Sequence, residues 1–228
     1  PASIEDAASG YPEKQITFIA PNGAGSGLDT NTRVAAKVLN TTGLVEQVIN
    51  VENMPGGGQN VALAEYVTKD KKNDYRLYFS STPLIINNLR KEANSPYSFR
   101  DITPLAQLTV DYIAISVRSD SKYTDLNMLI EDLKKDPQSV TFAGGSAPGS
   151  LDHVGAMLPM FKAGIDPKSI KYLAYSGAGE AITSLLGGNA DVLTTNVSGT
   201  AEYLKAGKVR VLGVSSPERL EGVYKDVP

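Results

Sequence analysis

The strongest constraint on this chain is a unit that recurs along it: a brief β-rich run, a short joint often rich in glycine, then a segment with helical spacing. Runs at residues 15–20, 46–51, 75–80, 112–117, 140–143, 170–173, 190–194 and 209–214 are rich in Val, Ile, Phe and Tyr. They are bounded by Gly, Asn, Pro or Asp, which predicts strands. In the first helical segment Val34, Ala35, Val38 and Leu39 share a face, and in the second Val61, Ala64 and Val67 do. Helices are also predicted over 125–135, 151–162, 179–186 and 198–206. Strands alternating with helices build mostly parallel sheets with helices on both faces, so the predicted fold class is α/β.

The rhythm breaks once, over residues 95–115, where two extended runs follow each other with no helix between. Such a run would carry the chain from one α/β lobe to another, and a second at 208–216 would carry it back. The expected division is a first lobe of residues 1–103 plus 216–228 and a second of 104–215, with a cleft between the lobes. At 228 residues either lobe can bury a core of its own.

Composition then narrows the function. A net charge of −3 with both signs scattered lacks the basic stripe of a nucleic-acid or anionic-membrane surface. No apolar run approaches the roughly 18 residues of a spanning helix. With no cysteine there is no disulfide, zinc-thiolate site or cysteine nucleophile, and the compartment stays open. The polar start PASIEDAASGYPEK carries no apolar signal region; a leader that was removed and one that never existed read alike.

Glycine-rich turns precede helices at 22–27, 55–58, 144–149 and 176–179. Glycine lets the backbone approach a bound group, and a helix start leaves several amides unpaired at the positive end of its dipole. A turn of this kind is either an anion site or simply a tight joint. Nucleotide patterns fail: no GxxxxGK[ST] exists, GAGSGL has GxGxG spacing, and no turn carries Lys or Arg. Neutral donors suit a carboxylate or another weakly charged oxyanion. Asp29 is expected to cap the first turn by accepting amide hydrogen bonds, the alternative being direct ligand contact.

Catalysis finds thinner support. GGSAP at 144–148 ends in proline where the GxSxG elbow needs glycine. The single histidine, His153, lies three residues after Ser150, so a Ser150/His153 dyad acting on an anionic metabolite is an alternative of a different class. One histidine and no cysteine leave only scattered carboxylates for a metal, and no cofactor is expected. Tyr175, just before the fourth turn, is either a ligand contact or core filler.

In order along the chain, ITFIAPNGAGSGLDTNTRVAAKVL, VENMPGGGQNVALAEYV, YRLYFSSTP, TFAGGSAPGSLDHVGAML, YSGAGEAITSLLGGNADVLTTN and LKAGKVRVLGVSSPERL are similar to segments of one known family. The chain resembles the extracytoplasmic solute receptors of tripartite tricarboxylate transporters, the Bug family. That resemblance implies a two-lobed, type II periplasmic-binding-protein architecture and a small carboxylated ligand, with no enzymatic activity. It further implies a monomer located outside the cytoplasm, in the periplasm or as a surface lipoprotein, serving the membrane subunits of its transporter. Carried over residue by residue, it places Asn22, Gly23, Ala24, Gly25 and Ser26 with Asp29 at one end of the ligand, and Ser81 and Thr82 after the third strand. Ser146, Gly149, Ser150 and His153 fall at the other end, with Tyr175 and Asn196 nearby. An inorganic oxyanion remains a second ligand class for the same turns.

The chain departs from the family's pattern in three places. Ala24 and Ser26 stand where many relatives have proline and glycine, and Thr195 stands where an acidic residue is common. The neutral Thr195 leans towards a plain carboxylate over an amino-bearing ligand. Relatives usually continue past KDVP with elements that help complete the first lobe, so that lobe is expected to be incomplete.

Overall fold

A computed structural model describes residues 10–90 and 95–228 and divides the chain into two compact units, Pro1–Pro104 and Leu105–Pro228. Unit 1 contains a three-stranded parallel sheet of β1 (Ile16–Ala20), β2 (Ile49–Asn53) and β3 (Arg76–Tyr78), ordered β2-β1-β3. Helix α1 (Gly27–Thr41) links β1 to β2, α2 (Asn60–Lys69) links β2 to β3, and α3 (Thr82–Leu89) follows β3. Because the strands are parallel, their carboxyl ends lie along one edge. That edge carries the turns opening α1, α2 and α3.

Phe18 is the centre of one face of this sheet, buried beside Ile16 and Ala36 and stacked at 4.8 Å on Phe79. The helical faces agree with those predicted in part: Ala35 and Leu39 pack against this cluster, and Ala64 and Val67 are half-buried. Val34, Val38 and Val61 are about half exposed, and α1 instead buries Asp29, Thr32 and Ala36. The buried positions still follow helical spacing, but two of the three are polar. Apolar periodicity therefore found one flank of the buried side of α1, the Ala35 and Leu39 flank, and missed its polar part.

Unit 2 has a five-stranded sheet ordered β6-β5-β7-β4-β8, comprising β4 (Ile113–Arg118), β5 (Thr141–Gly144), β6 (Lys171–Ala174), β7 (Val192–Asn196) and β8 (Val209–Val214). Strand β4 runs against both its neighbours, and the other four strands share one direction. Alternation along the strands divides the core between two faces. Phe142 and Val192 point to α4 (Leu126–Lys135) and α5 (Leu151–Lys162), where Leu129, Leu133, Met157 and Met160 are buried. Ala143 and Leu193 point to α6 (Ala178–Leu186), against Ala181, Ile182 and Leu185. Helix α7 (Val197–Lys205) joins β7 to β8.

The stretch from Ser216 onward was expected to rejoin the first lobe, and here it packs on unit 2. Tyr224 and Val227 are buried with Ala114 and Val211, and the Val214 amide donates to the Pro228 carbonyl at 3.0 Å. The Tyr224 hydroxyl pairs with Thr200 and the Val197 carbonyl. One aromatic and one aliphatic anchor, Tyr224 and Val227, decide this placement.

Candidate functional site

In unit 1 the turn between β1 and α1 is wired from within by an aspartate. Ser26 is the N-cap of α1, its Oγ accepting from the Asp29 amide at 3.3 Å. The Asp29 carboxylate reaches back to accept from the Gly25 amide at 2.8 Å. Gly25 sits at φ +79°, a left-handed conformation that any side chain would strain. Arg33 Nε lies 3.0 and 3.1 Å from the two carboxylate oxygens, and Asn53 Nδ2 donates at 2.8 Å. Asn53, ending β2, also donates to the Asn22 carbonyl at 3.0 Å, tying strand, turn and helix together. The Arg33 bond, with those from Gly25 and Asn53, holds the Asp29 carboxyl down at about 2.

The turn between β5 and α5 in unit 2 repeats this wiring. The Asp152 carboxylate accepts from the Gly145 amide at 2.8 Å, and the Asp152 amide donates to Ser146 Oγ at 3.0 Å. Gly149, at φ +80°, makes the left-handed step that Gly25 makes in unit 1. The Tyr172 hydroxyl fastens the Ser146 carbonyl at 3.0 Å, and the His153 ring stands edge-on to Tyr172 at 4.8 Å. One part is missing. Asp152 has Gly145 as its only hydrogen-bond donor among the described residues, and no cation. Burial, opposed only by that bond, pushes its carboxyl up to about 6. Burial likewise raises the Tyr172 phenol to about 12, with the Asp152 charge adding to it.

These bonds sort the predicted residues. Asp29 acts as the cap, and the Gly25 amide is spent on it, while the Ser26 amide is spent on the Gly23 carbonyl. Among the described residues no acceptor takes the amides of Gly23 and Ala24, and the buried Asn22 Oδ1 has no donor. In unit 2 the amides of Ser146 and Gly149 are unpaired in the same sense, whereas the Ser150 amide donates to Ala147 at 2.9 Å. Ser150 is the buried N-cap of α5 and makes no side-chain cap bond.

Ser81, the N-cap of α3, accepts from Gln59 Nε2 at 2.6 Å, and Thr82 begins the helix beside it. The Tyr175 hydroxyl is turned into its own unit, onto Ser184 Oγ at 2.8 Å. Asn196 ends β7 as the N-cap of α7 without a side-chain cap bond. Strand register places the unit 1 residues on one sheet edge. In unit 2 the Gly144↔Ala174 and Gly144↔Thr194 pairings place Ser146, Gly149, Ser150, Tyr175 and Asn196 on one edge too. Carboxyl ends of parallel strands are where open α/β sheets bind ligands.

One of the predicted anion turns is filled by an acceptor of the protein itself, and a second is crowded by a side chain. Glu180 accepts from the Ser176 amide and hydroxyl, both at 3.1 Å, and fills the turn before α6. In the turn before α2 the Asn87 side chain donates to the Gly58 carbonyl at 2.9 Å. Sequence reading overlooked Arg33, Asn53, Gln59 and Asp152. A signal for Asp152 was present: GSGLD and GSAPGSLD both place Gly-Ser ahead of a Leu-Asp pair in the first helical turn. Among the described residues no group of three or more His, Cys, Asp or Glu could hold a metal, and no helix is long and apolar enough to cross a membrane.

Comparison with known proteins bears on the chain as a whole. The sequence pattern of the "Tripartite tricarboxylate transporter family receptor" family, TctC, matches residues 32–228. Protein BugT of Bordetella pertussis is 28% identical over 212 residues, covering 92% of this chain and 63% of the relative. The chain thus spans about three-fifths of the length of the curated relatives it matches. A TctC solute binding protein from Polaromonas is 27% identical with a TM-score of 0.71, over 96% of this chain and 72% of that one. An R. palustris protein solved with adipate is 25% identical with a TM-score of 0.76, over 91% of this chain and 68% of that one. Solved periplasmic binding proteins share the fold, α/β units of parallel-rich sheet flanked by helices.

Proposed function

We propose that this chain, which belongs to the tripartite tricarboxylate transporter receptor family, captures a small carboxylate outside the cytoplasm and presents it to the membrane subunits of a transporter. No bond is made or broken in the ligand. The observation that carries this reading is the pair of matched turns whose unpaired amides, Gly23 and Ala24 in unit 1 and Ser146 and Gly149 in unit 2, head the helices α1 and α5. Main-chain donors at a helix start stabilise a carboxylate without a basic side chain. Each such bond is charge-assisted and about twice as strong as a neutral one.

Ser81, Thr82, Ser150, His153 and Asn196 are proposed as further contacts, since each lies at the carboxyl edge of its sheet. Asp29 acts behind the unit 1 turn by fixing its shape. Adipate in the R. palustris relative makes dicarboxylates the first class to test. Thermal-shift screening of mono-, di- and tricarboxylates beside phosphate and sulfate is the direct experiment. A ligand at 100 times its Kd is expected to stabilise by about 2.7 kcal/mol. Stabilisation by dicarboxylates supports the reading, and stabilisation by phosphate or sulfate alone would replace it with an inorganic-anion receptor.

A further inference from the structure

The two clasps differ in what neutralises them, and the difference bears on how an anion is taken up. Asp29 shares its charge with Arg33, so an anion arriving at the unit 1 turn meets a paired carboxylate. Asp152 is 5% exposed and has no such partner among the described residues. The groups facing it are few. The Tyr172 phenol on β6 feels the Asp152 charge, and the adjacent His153 ring stands edge-on to Tyr172. Strands β5 and β7 carry no ionisable residue. On β4 the only one is Arg118, paired with Asp120 at 3.0 Å. Lys168 lies in the Pro167–Ser169 turn packed on α5. From the α6 side, a Cβ placed on Gly145 would come within 2.4 Å of the Ala178 amide, so the start of α6 abuts the clasp. Its charged member, Glu180, is bound to Ser176.

We propose that Asp152 takes up a proton when the unit 2 turn takes up an anion, so that carboxylate capture by this chain is coupled to protonation. The inference rests on the carboxylate-receptor reading above. Two effects compete when Asp152 is protonated. The Gly145 bond loses its charge assistance, yet the neutral acid keeps an oxygen able to accept from the amide. Against this, a like charge beside the incoming anion disappears. A carboxylate sharing a site with another commonly has its pKa raised by a unit or more. By linkage, a unit of pKa is a tenfold change in ligand affinity. Repulsion therefore outweighs the weakened clasp, and affinity rises as pH falls through the range in which Asp152 titrates. Unit 1 contributes no such term, since Asp29 stays ionised there.

Calorimetry of adipate binding in buffers of different ionisation enthalpy reads the coupling directly. Adipate is ionised throughout the window used, pH 6.5–8. The expected result is uptake of about half a proton per ligand near pH 6.5 and affinity about threefold weaker at pH 8 than at pH 6.5. Asp152→Asn is expected to abolish the uptake, flatten the profile and bind more tightly than the parent at pH 8. A merely structural aspartate predicts the opposite, weaker binding of the variant at every pH, and that outcome overturns the proposal. His153→Gln separates the second candidate: loss of uptake there, with uptake retained in Asp152→Asn, also overturns it. The Asp152 carboxyl carbon resonance, followed against pH without ligand, serves if a variant misfolds. A midpoint near that of a free carboxyl removes the basis for coupling, and one near 6 sustains it. Absence of adipate binding at any pH counts against adipate as ligand, whereas the resonance still judges the carboxyl itself.

Discussion

The turns before α1 and α5 make the same hydrogen bonds and have opposite electrostatics. In each, a first-turn aspartate accepts an upstream glycine amide and donates its own amide to a serine hydroxyl. In unit 1 an arginine four residues on and an asparagine from β2 complete the carboxylate's shell; in unit 2 burial alone surrounds it. Matching geometry thus says little about charge. What decides the pKa is the balance of donors against burial: the Arg33, Gly25 and Asn53 bonds lower Asp29, whereas Ala156 stands four residues after Asp152 and burial prevails there.

The largest effect expected from this contrast is in stability. Asp152 has a folded pKa raised from about 3.8 to about 6. Its contribution is therefore full below pH 4 and lost as pH rises through 6, so at pH 7.5 the ionised group costs unit 2 on the order of 2–3 kcal/mol. Asp152→Asn should recover much of that at pH 7.5 and about a third as much at pH 4.5, read by denaturant unfolding at both. Equal effects at the two values would show that the carboxyl is not strained by burial. Asp29 behaves in the reverse sense. Its depressed pKa contributes stability above pH 4 that is lost only as pH falls towards 2, so mild acid should leave unit 1 unchanged.

A smaller and symmetric effect tests the shared part of the wiring. Ser26→Ala and Ser146→Ala each remove one acceptor from an aspartate amide, at a cost of about 1 kcal/mol apiece. Loss in one turn and none in the other would mean that the resemblance between them is only geometric. The smallest effect belongs to Arg33, about half exposed and therefore well screened. Arg33→Gln should cost under about 1 kcal/mol. It should nevertheless raise the Asp29 carboxyl towards the ordinary range, a shift that carboxyl-carbon NMR resolves. An unmoved Asp29 would assign the depression to the Gly25 and Asn53 bonds.

Much of this was legible in the sequence, and the gaps have physical causes. Short β-branched and aromatic runs located the strands, and glycine followed by a helical pattern located both candidate turns, Asp29 included. Helix α3 escaped because TPLIINNL follows β3 with no glycine turn and is apolar nearly throughout, which leaves periodicity little to report. Part of the buried face of α1 escaped because Asp29 and Thr32 lie on it, and polar residues are read as surface. Asp152 was passed over because it stands seven residues after its glycine where Asp29 stands four after its own. The clasp closes through folded space, so its spacing carries no fixed pattern. Antiparallel β4 and the docking of Tyr224 on unit 2 are tertiary choices that no local run announces.

The central claim is that main-chain amides of the two turns grip a carboxylate, and an adipate titration followed by amide NMR tests it most directly. The account predicts that the amides of Gly23, Ala24, Ser146 and Gly149 shift most and saturate together, while the occupied amides of Gly25 and Gly145 move less. Saturable shifts centred elsewhere, for instance on the Ser176 turn that Glu180 fills, would contradict it.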